Sequence, residues 1–388
     1  MEGGEKVKKS IKIRLLPTEE QEVLMLKSSG CSRFAYNWAL NKCNEKYNNN
    51  EKYSIANIRK EFTKLKKEEK FKWLNEVSSK VTQESIRNLD KAFKSFFNKQ
   101  SKYPKFKTKR KSKQSFYVRC DSLYFTDDMC NIEKIGKVRF KTNYSIPKNC
   151  KYSNPYCSYN GRCWVLSFNV EVEENQTALN EDLSIGIDLG VKDLAICSNG
   201  DVFKNINKTK RIKNLKSKLK HLQRSISRKY EDNKQGSKFV KTNNIIKLEK
   251  QVKQIYRKLS NIRNNYIHQT TNKIIKHYPY RIVIEDLNVS GMMKNKHLSK
   301  AIAEQGFYEF MRQIKYKCEF NGIEFIQVDR FYPSSKTCSC CGFIKKDLKL
   351  NDRNYKCDKC GLEIDRDYNA SINLSNYSRA QNVERLWS

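Results

Sequence analysis

Two cysteine pairs with fixed spacing constrain this chain more than any other feature. They read Cys338-x2-Cys341-x15-Cys357-x2-Cys360, with Gly342 and Gly361 following the pairs. Glycine suits the tight turn of a knuckle, and the spacing lets four thiolates occupy the corners of a tetrahedron around Zn²⁺. Two disulfides would need an oxidising compartment that nothing else in the sequence suggests. Cys340 lies inside the first knuckle, but only Cys338 and Cys341 match both the two-residue gap and the following glycine. Of the fourteen cysteines, the other nine are scattered singly and read as small buried hydrophobes. The four histidines form no ligand cluster.

Charge narrows the class of partner. The 388 residues carry 78 Lys and Arg against 42 Asp and Glu, a net +36. Such a charge self-repels unless a polyanion neutralises it. No window approaches ~20 consecutive apolar residues, so no membrane-spanning helix is expected. Met1-Glu2-Gly3-Gly4-Glu5 has no apolar core of a secretory signal, and a cytoplasmic location follows as an expectation. Residues 99–113 hold eight Lys or Arg and no acid, with Tyr103 and Phe106 interleaved. Cations mixed with aromatics suit phosphate neutralisation and stacking, with Lys105, Lys107, Lys109 and Arg110 as candidate nucleic-acid contacts.

The periodicity lays out an α/β multidomain chain. Ile11, Ile13 and Leu15 alternate with Lys12 and Arg14 as a strand ended by Pro17, and Thr18-x-x-Gln21 opens a helix with a capping box. Helical patterns run to about residue 100, the last placing Ile86, Leu89, Phe93, Phe96 and Phe97 on one face, read as core. Short alternating stretches from 101 to 178 read as an antiparallel β module that the first strand joins. Residues 171–182 read as a linker. A strand at Ile185–Asp188 then leads through an Asn199-Gly200 turn into Val202-Phe203. Two helices follow as a hairpin around Gly236, marked by Ile212 to Ile226 and Ile245 to Tyr266. Arg281-Ile282-Val283-Ile284-Glu285 is a second buried strand, residues 301–320 form a helix, and Glu324 to Val328 form another strand. A last helix opens near Asp365 and runs through Leu374, and the tail beyond about 376 has little apolar content.

Three separated acids sit at strand ends or a helix start: Asp188, Glu285 and Asp367. The element order around them is that of an RNase H-like fold, in which such carboxylates converge on the central strand. Converged carboxylates can hold two hard cations, and oxygen ligands suit Mg²⁺ or Mn²⁺. Asp286 alternates to the opposite face from Glu285. Of Asp365 and Asp367, either could cap the helix while the other binds metal.

With these residues in view, the sequence resembles TnpB, the OrfB-type proteins of bacterial and archaeal insertion sequences, related to compact type V CRISPR effectors. The likeness runs over nearly the whole chain. It begins with Lys12-Ile13-Arg14-Leu15-Leu16-Pro17-Thr18, Cys31-x-Arg33-Phe34-x-Tyr36-Asn37 and Ala92-Phe93-x-x-Phe96-Phe97 with Pro104-Lys105-Phe106-Lys107. Four later blocks together are highly specific: Gly186 to Gly190, Ile284-Glu285-Asp286-Leu287, Pro333 to Cys338 and Asp365-Arg366-Asp367-x-Asn369-Ala370.

The resemblance implies an RNA-guided DNA endonuclease that works as a monomer with a guide RNA from the transposon end. Its substrate would be double-stranded target DNA beside a short motif, cut at a RuvC-like site. It implies Asp188, Glu285 and Asp367 as the Mg²⁺ or Mn²⁺ ligands, selecting Asp367 over Asp365, and Cys338, Cys341, Cys357 and Cys360 as the zinc ligands. It further implies a wedge-like β-barrel at 1–16 and 101–180 and an inserted helical recognition domain at 17–100. The RuvC-like domain would take 181–337 and 362–388, interrupted by a zinc-binding insertion at 338–361. The competing readings are a guided DNA-binding repressor without cleavage and an RNase H-like transposase.

Overall fold

The computed structural model describes residues 6–143, 145–147, 150–173, 178–349 and 352–377. It forms two compact units, Met1–Glu173 and Glu174–Ser388. Among the described residues, no helix is long and apolar enough to cross a membrane. Most of the tail noted above, residues 378–388, lies outside the described residues.

The first unit begins with β1 (Lys6–Leu16), whose alternation buries Ile11, Ile13 and Leu15. Thr18 then caps α1 (Glu19–Asn48) through the reciprocal box with Gln21. Helices α2 (Ile55–Leu65) and α3 (Ser79–Phe97) follow. The strands β2 (Ser115–Tyr117), β3 (Met129–Ile132), β4 (Gly136–Lys141), β5 (Ser153–Tyr159) and β6 (Trp164–Glu173) complete the unit. The sheet order is β2-β5-β6-β1-β4-β3, so the N-terminal strand lies inside the sheet, and the edge strands β2 and β3 are not bonded to each other. One apolar core runs continuously from the sheet (Ile13, Phe116, Leu166, Phe168) into the helices (Leu40, Ile58, Leu89). Helical segment and sheet therefore stabilise each other through shared burial.

Two expectations are corrected here. Phe97, read as core, is 71% exposed; it is the last residue of α3. The linker is shorter than 171–182, since β6 extends to Glu173 and the next strand starts at Asn180.

The second unit is built on β7 (Asn180–Leu189), β8 (Asp193–Cys197) and β9 (Val202–Lys204), an antiparallel meander turned at Gly200 with φ +88°. Helices α4 (Lys210–Asp232) and α5 (Asn243–Ile275) pack as the expected hairpin around Ile212, Ile255 and Leu259. They are joined by the two-residue strands β10 (Lys234–Gln235) and β11 (Lys238–Phe239). Strand β12 (Pro279–Glu285) then enters beside β7 in parallel. After α6 (Val289–Met292), the helix expected at 301–320 is two helices, α7 (Ser299–Gln305) and α8 (Phe307–Phe320). Gly306 separates them at φ +72°, a left-handed conformation that ends a helix and costs glycine little. Strand β13 (Glu324–Val328) pairs parallel with β12, giving the sheet order β13-β12-β7-β8-β9. The ribbon β14 (Asn354–Lys356) and β15 (Glu363–Asp365) precedes the last helix, α9 (Arg366–Ser375).

Helix α9 lies directly on the middle of β7. A Cβ placed on Gly186 would sit 2.0 Å from the Ser371 carbonyl oxygen and 2.4 Å from the Ser375 nitrogen, so only glycine permits this approach. Ser184 Oγ donates to the Ser375 oxygen at 2.8 Å, and Arg281 Nη2 donates to the same oxygen at 3.0 Å, fixing the far end of the helix.

Candidate metal centres and their relatives

The four cysteines come together. Their sulfurs all lie within 4.8 Å of one another, with Cys338–Cys360 and Cys341–Cys357 each at 3.6 Å. A tetrahedron with Zn–S bonds of ~2.3 Å has edges of about 3.8 Å, so this spacing matches a metal-bound set. Backbone turns explain the approach: the Gly342 and Gly361 nitrogens donate back to the Cys338 and Cys357 carbonyls at 3.0 Å, and both glycines take positive φ. Cys338 and Cys357 are buried, whereas Cys340 is exposed and outside the cluster. Burial opposes ionisation of Cys357, yet backbone N–H groups of Cys360 and Lys359 and the neighbouring thiols bring it down to about 6. Against their own backbone N–H bonds, burial and the thiol contacts push Cys360 up to about 12 and raise Cys341, so the four sulfurs share protons and a bound cation would displace them.

The cysteine lobe is strapped to α9. Asn369, fully buried, donates from Nδ2 to the Thr337 oxygen at 2.7 Å and accepts from the Ser339 nitrogen at 3.0 Å. One turn later, Asn373 Nδ2 donates to the Ser334 and Thr337 oxygens at 2.7 and 2.6 Å. Asn369 falls in a block quoted above without a role; Asn373 carries no sequence signal, because its partners are backbone carbonyls about 36 residues away.

The acids arrive from three elements. Ile187 and Ile284 are register partners, and Asp188 and Glu285 are the next residues along β7 and β12. Asp367 is one helical turn before Ser371, whose carbonyl meets Gly186; Gly186 is two residues before Asp188, on the same strand face. Asp365 is the N-cap of α9, its Oδ1 accepting from the Asp367 and Tyr368 nitrogens at 3.0 and 3.1 Å. Capping thus occupies Asp365 and leaves the Asp367 carboxylate on the first turn.

Asp188 keeps some surface open to solvent, but protein atoms crowd its carboxyl. Burial first, then the charges of Asp367 and Glu285, push it up to about 8, with Arg366 opposing. Glu285 is also raised, by burial and then by Asp286. Asp188 thus lies in the field of both other acids, but the three do not share a ligand sphere. Among the described residues, only the four cysteines form a group of three or more such side chains within 4.8 Å. Asp367 is engaged by Arg366 Nη2 at 3.2 Å and Nε at 3.3 Å, and Arg353 Nη1 lies at 3.9 Å. This guanidinium grip, invisible in the sequence beyond adjacency, offsets the negative charge around Asp188.

The basic candidates divide. Lys105, Lys109 and Arg110 are exposed. Lys107 instead lays its ammonium 3.7 Å over the Tyr36 ring, and its backbone is held by Asn37 through bonds of 2.8 and 2.9 Å. Burial lowers its pKa. Lys107 therefore fastens the basic loop to α1.

Three family descriptions match the chain. "Probable transposase" of the OrfB, IS605 type covers residues 167–296, "Cas12f1-like, TNB domain" covers 307–374, and "Helix-turn-helix domain" covers 1–52. In that last span the structure has a strand and one 30-residue helix. A protein of Streptomyces pristinaespiralis, named "Putative RNA-guided DNA endonuclease", is 30% identical over 95% of this chain and 89% of its own length. The "Putative RNA-guided DNA endonuclease InsQ" of Escherichia coli K12 is 29% identical over 94% of this chain and 91% of its own. Among solved structures, the protein of a Cas12f1-sgRNA-target DNA complex matches the fold with a TM-score of 0.61, at 13% identity, over 96% of this chain and 99% of that one. By this full-length likeness, the chain belongs to the OrfB-type TnpB family of insertion-sequence proteins.

Proposed function

We propose that this protein is an RNA-guided DNA endonuclease of an insertion sequence. Its second unit would be an RNase H-like, RuvC-like nuclease domain, and its first a wedge-like β module with a helical recognition segment. The observation that carries the reading is the placement of Asp188. It lies next to the end of the central strand of a sheet with three antiparallel and two parallel members, beside Glu285 in the adjoining strand and on the face that meets the helix bearing Asp367. A carboxyl held up to about 8 by burial and, after it, by two other acids is a site suited to cations.

Asp188, Glu285 and Asp367 would hold Mg²⁺ or Mn²⁺, hard cations that oxygen donors favour. Such ions supply an activated water and stabilise the leaving oxygen of a phosphodiester. The chain's own part is to position the carboxylates. Gly186 sets the height of α9 over β7, Asp365 caps the helix, and Arg366 neutralises Asp367 until a cation takes its place. Cys338, Cys341, Cys357 and Cys360 would hold a structural zinc ion. Guidance by base pairing asks the protein to grip nucleic-acid backbone, a task suited to +36 of charge and to the exposed Lys105, Lys109 and Arg110.

Sequencing the RNA that co-purifies with the protein tests guidance. The expected result is one defined species with a variable 3′ end. A random sample of cellular RNA would leave only polycation stickiness and overturn the guided reading.

A further inference from the structure

We propose that Phe331 is a stacking platform for one unpaired nucleobase of the DNA strand delivered to the acids; this rests on the nuclease reading above. Strand β13 ends at Val328, the register partner of Glu285. Phe331 follows three residues later, so its Cα lies within about 11 Å of that of Val328.

The short loop is tethered on both sides of this ring. The Phe331 nitrogen donates to Asp329 Oδ1 at 2.9 Å. Arg330 Nη2 donates to Asp286 Oδ2 at 2.9 Å, and the other oxygen of Asp286 accepts from Gln327 Nε2 at 2.7 Å. Asp286 directly follows Glu285, so this bond ties the loop to the acid-bearing strand. Tyr332 stands edge-on to Tyr377 at 5.2 Å, and its hydroxyl donates to the Asn373 oxygen of α9 at 3.3 Å. The loop is thus pinned to both elements that carry distal acids.

Between these anchors Phe331 is 85% exposed, the highest value of any large hydrophobic side chain among the described residues. A rigidly mounted ring left in water forgoes the gain of burial. The preceding Asp329 and Arg330 are charged and exposed, which disfavours this edge of the ring as part of an apolar protein interface. A nucleobase needs only one flat π-face, and stacking accepts any base. An unpaired base seated on Phe331 would bring its own phosphate toward Glu285 and Asp188.

The test uses the complete protein–RNA complex. In an Asp188→Ala background, target strands carry 2-aminopurine at successive positions near the cut. Fluorescence quenching is expected at one position, lost in Phe331→Ala and kept in Phe331→Tyr. In cleavage-competent protein, Phe331→Ala should lower kcat/KM about tenfold for all sequences alike, with Tyr restoring it. If Phe331→Ala quenches and cuts like the parent while Asp188→Ala abolishes cutting, the stacking role is wrong and the nuclease site stands. If Asp188→Ala itself still cuts, the nuclease reading of these acids fails and the stacking proposal falls with it.

Discussion

Asp188→Asn abolishes DNA cleavage and, in metal-free protein at pH 8, raises the melting temperature. The first effect follows from removing one carboxylate ligand at the centre of the site. Transition-state charge stabilisation worth several kcal/mol is lost, so the rate should fall by about 10³- to 10⁴-fold while RNA and DNA binding persist. The second follows from burial of the Asp188 carboxyl and, after it, from the two acids beside it. The native state raises the Asp188 carboxyl to about 8 from an ordinary 3.8. A group raised on folding favours the native state fully below its unfolded pKa, and that contribution is lost as pH climbs toward the folded value. The cost in the parent therefore grows from about pH 4 to pH 8 and reaches on the order of a few kcal/mol once partial solvent screening is allowed for. Asparagine carries no such charge. Variant and parent should melt together near pH 4 and differ by several degrees at pH 8. Added Mg²⁺ should close that gap by stabilising only the parent. Calorimetry across pH, beside a cleavage assay, checks both; unchanged cutting would mean that this acid has been misassigned.

Cys357→Ser should strip zinc from the protein and collapse the segment 338–361. The apolar residues there are few: Cys338, Tyr355 and Cys357 are buried, with Leu348, Leu362 and Ile364 packed beside them. A segment this short has too little core to fold without a metal or cross-link. Structural zinc supplies about 10–16 kcal/mol of apparent binding energy in comparable small domains, and one ligand in four is being removed. The damage should travel. Asn369 and Asn373 bond the cysteine loop to α9, and α9 carries Asp367, so cleavage should drop although no acid has changed. Elemental analysis should find one zinc ion per parent chain and little in the variant. Limited proteolysis should nick the variant within 338–361 and spare the sheet. A parent without zinc would refute the knuckle.

What was legible in the sequence was local or fixed by spacing. The cysteine gaps with their glycines set the knuckles, the Thr18–Gln21 box set the start of α1, and apolar runs closed by acids marked β7 and β12. What was not legible depended on distant chain. Gly306 splits a periodic pattern that reads as one helix, because periodicity does not register a single left-handed residue. Phe97 stacks on Phe93 of its own helix, yet Tyr103 from the following loop stands against Phe93 and Phe96 and leaves Phe97 exposed. Lys107 sits in a run of equivalent cations, and only the nearby Tyr36 and Asn37 single it out. Residue pattern alone leaves Asp365 and Asp367 open and the family resemblance selects Asp367; that Asp365 caps the Asp367 and Tyr368 nitrogens is a backbone pairing that the pattern does not register. Arg366 on Asp367 and the Asn373 strap are pairings that no local rule anticipates.

The central claim is that Asp188, Glu285 and Asp367 seat divalent cations together, with the Arg366 guanidinium that bonds Asp367 giving way to them. The most direct measurement is a crystal structure of the protein–RNA–DNA complex soaked in Mn²⁺, with manganese located by anomalous scattering. The account predicts paired peaks about 4 Å apart, with all three carboxylates as ligands and the Arg366 guanidinium withdrawn from Asp367. Manganese absent from Asp188, with Arg366 still clasping Asp367 in the DNA-bound complex, would contradict it.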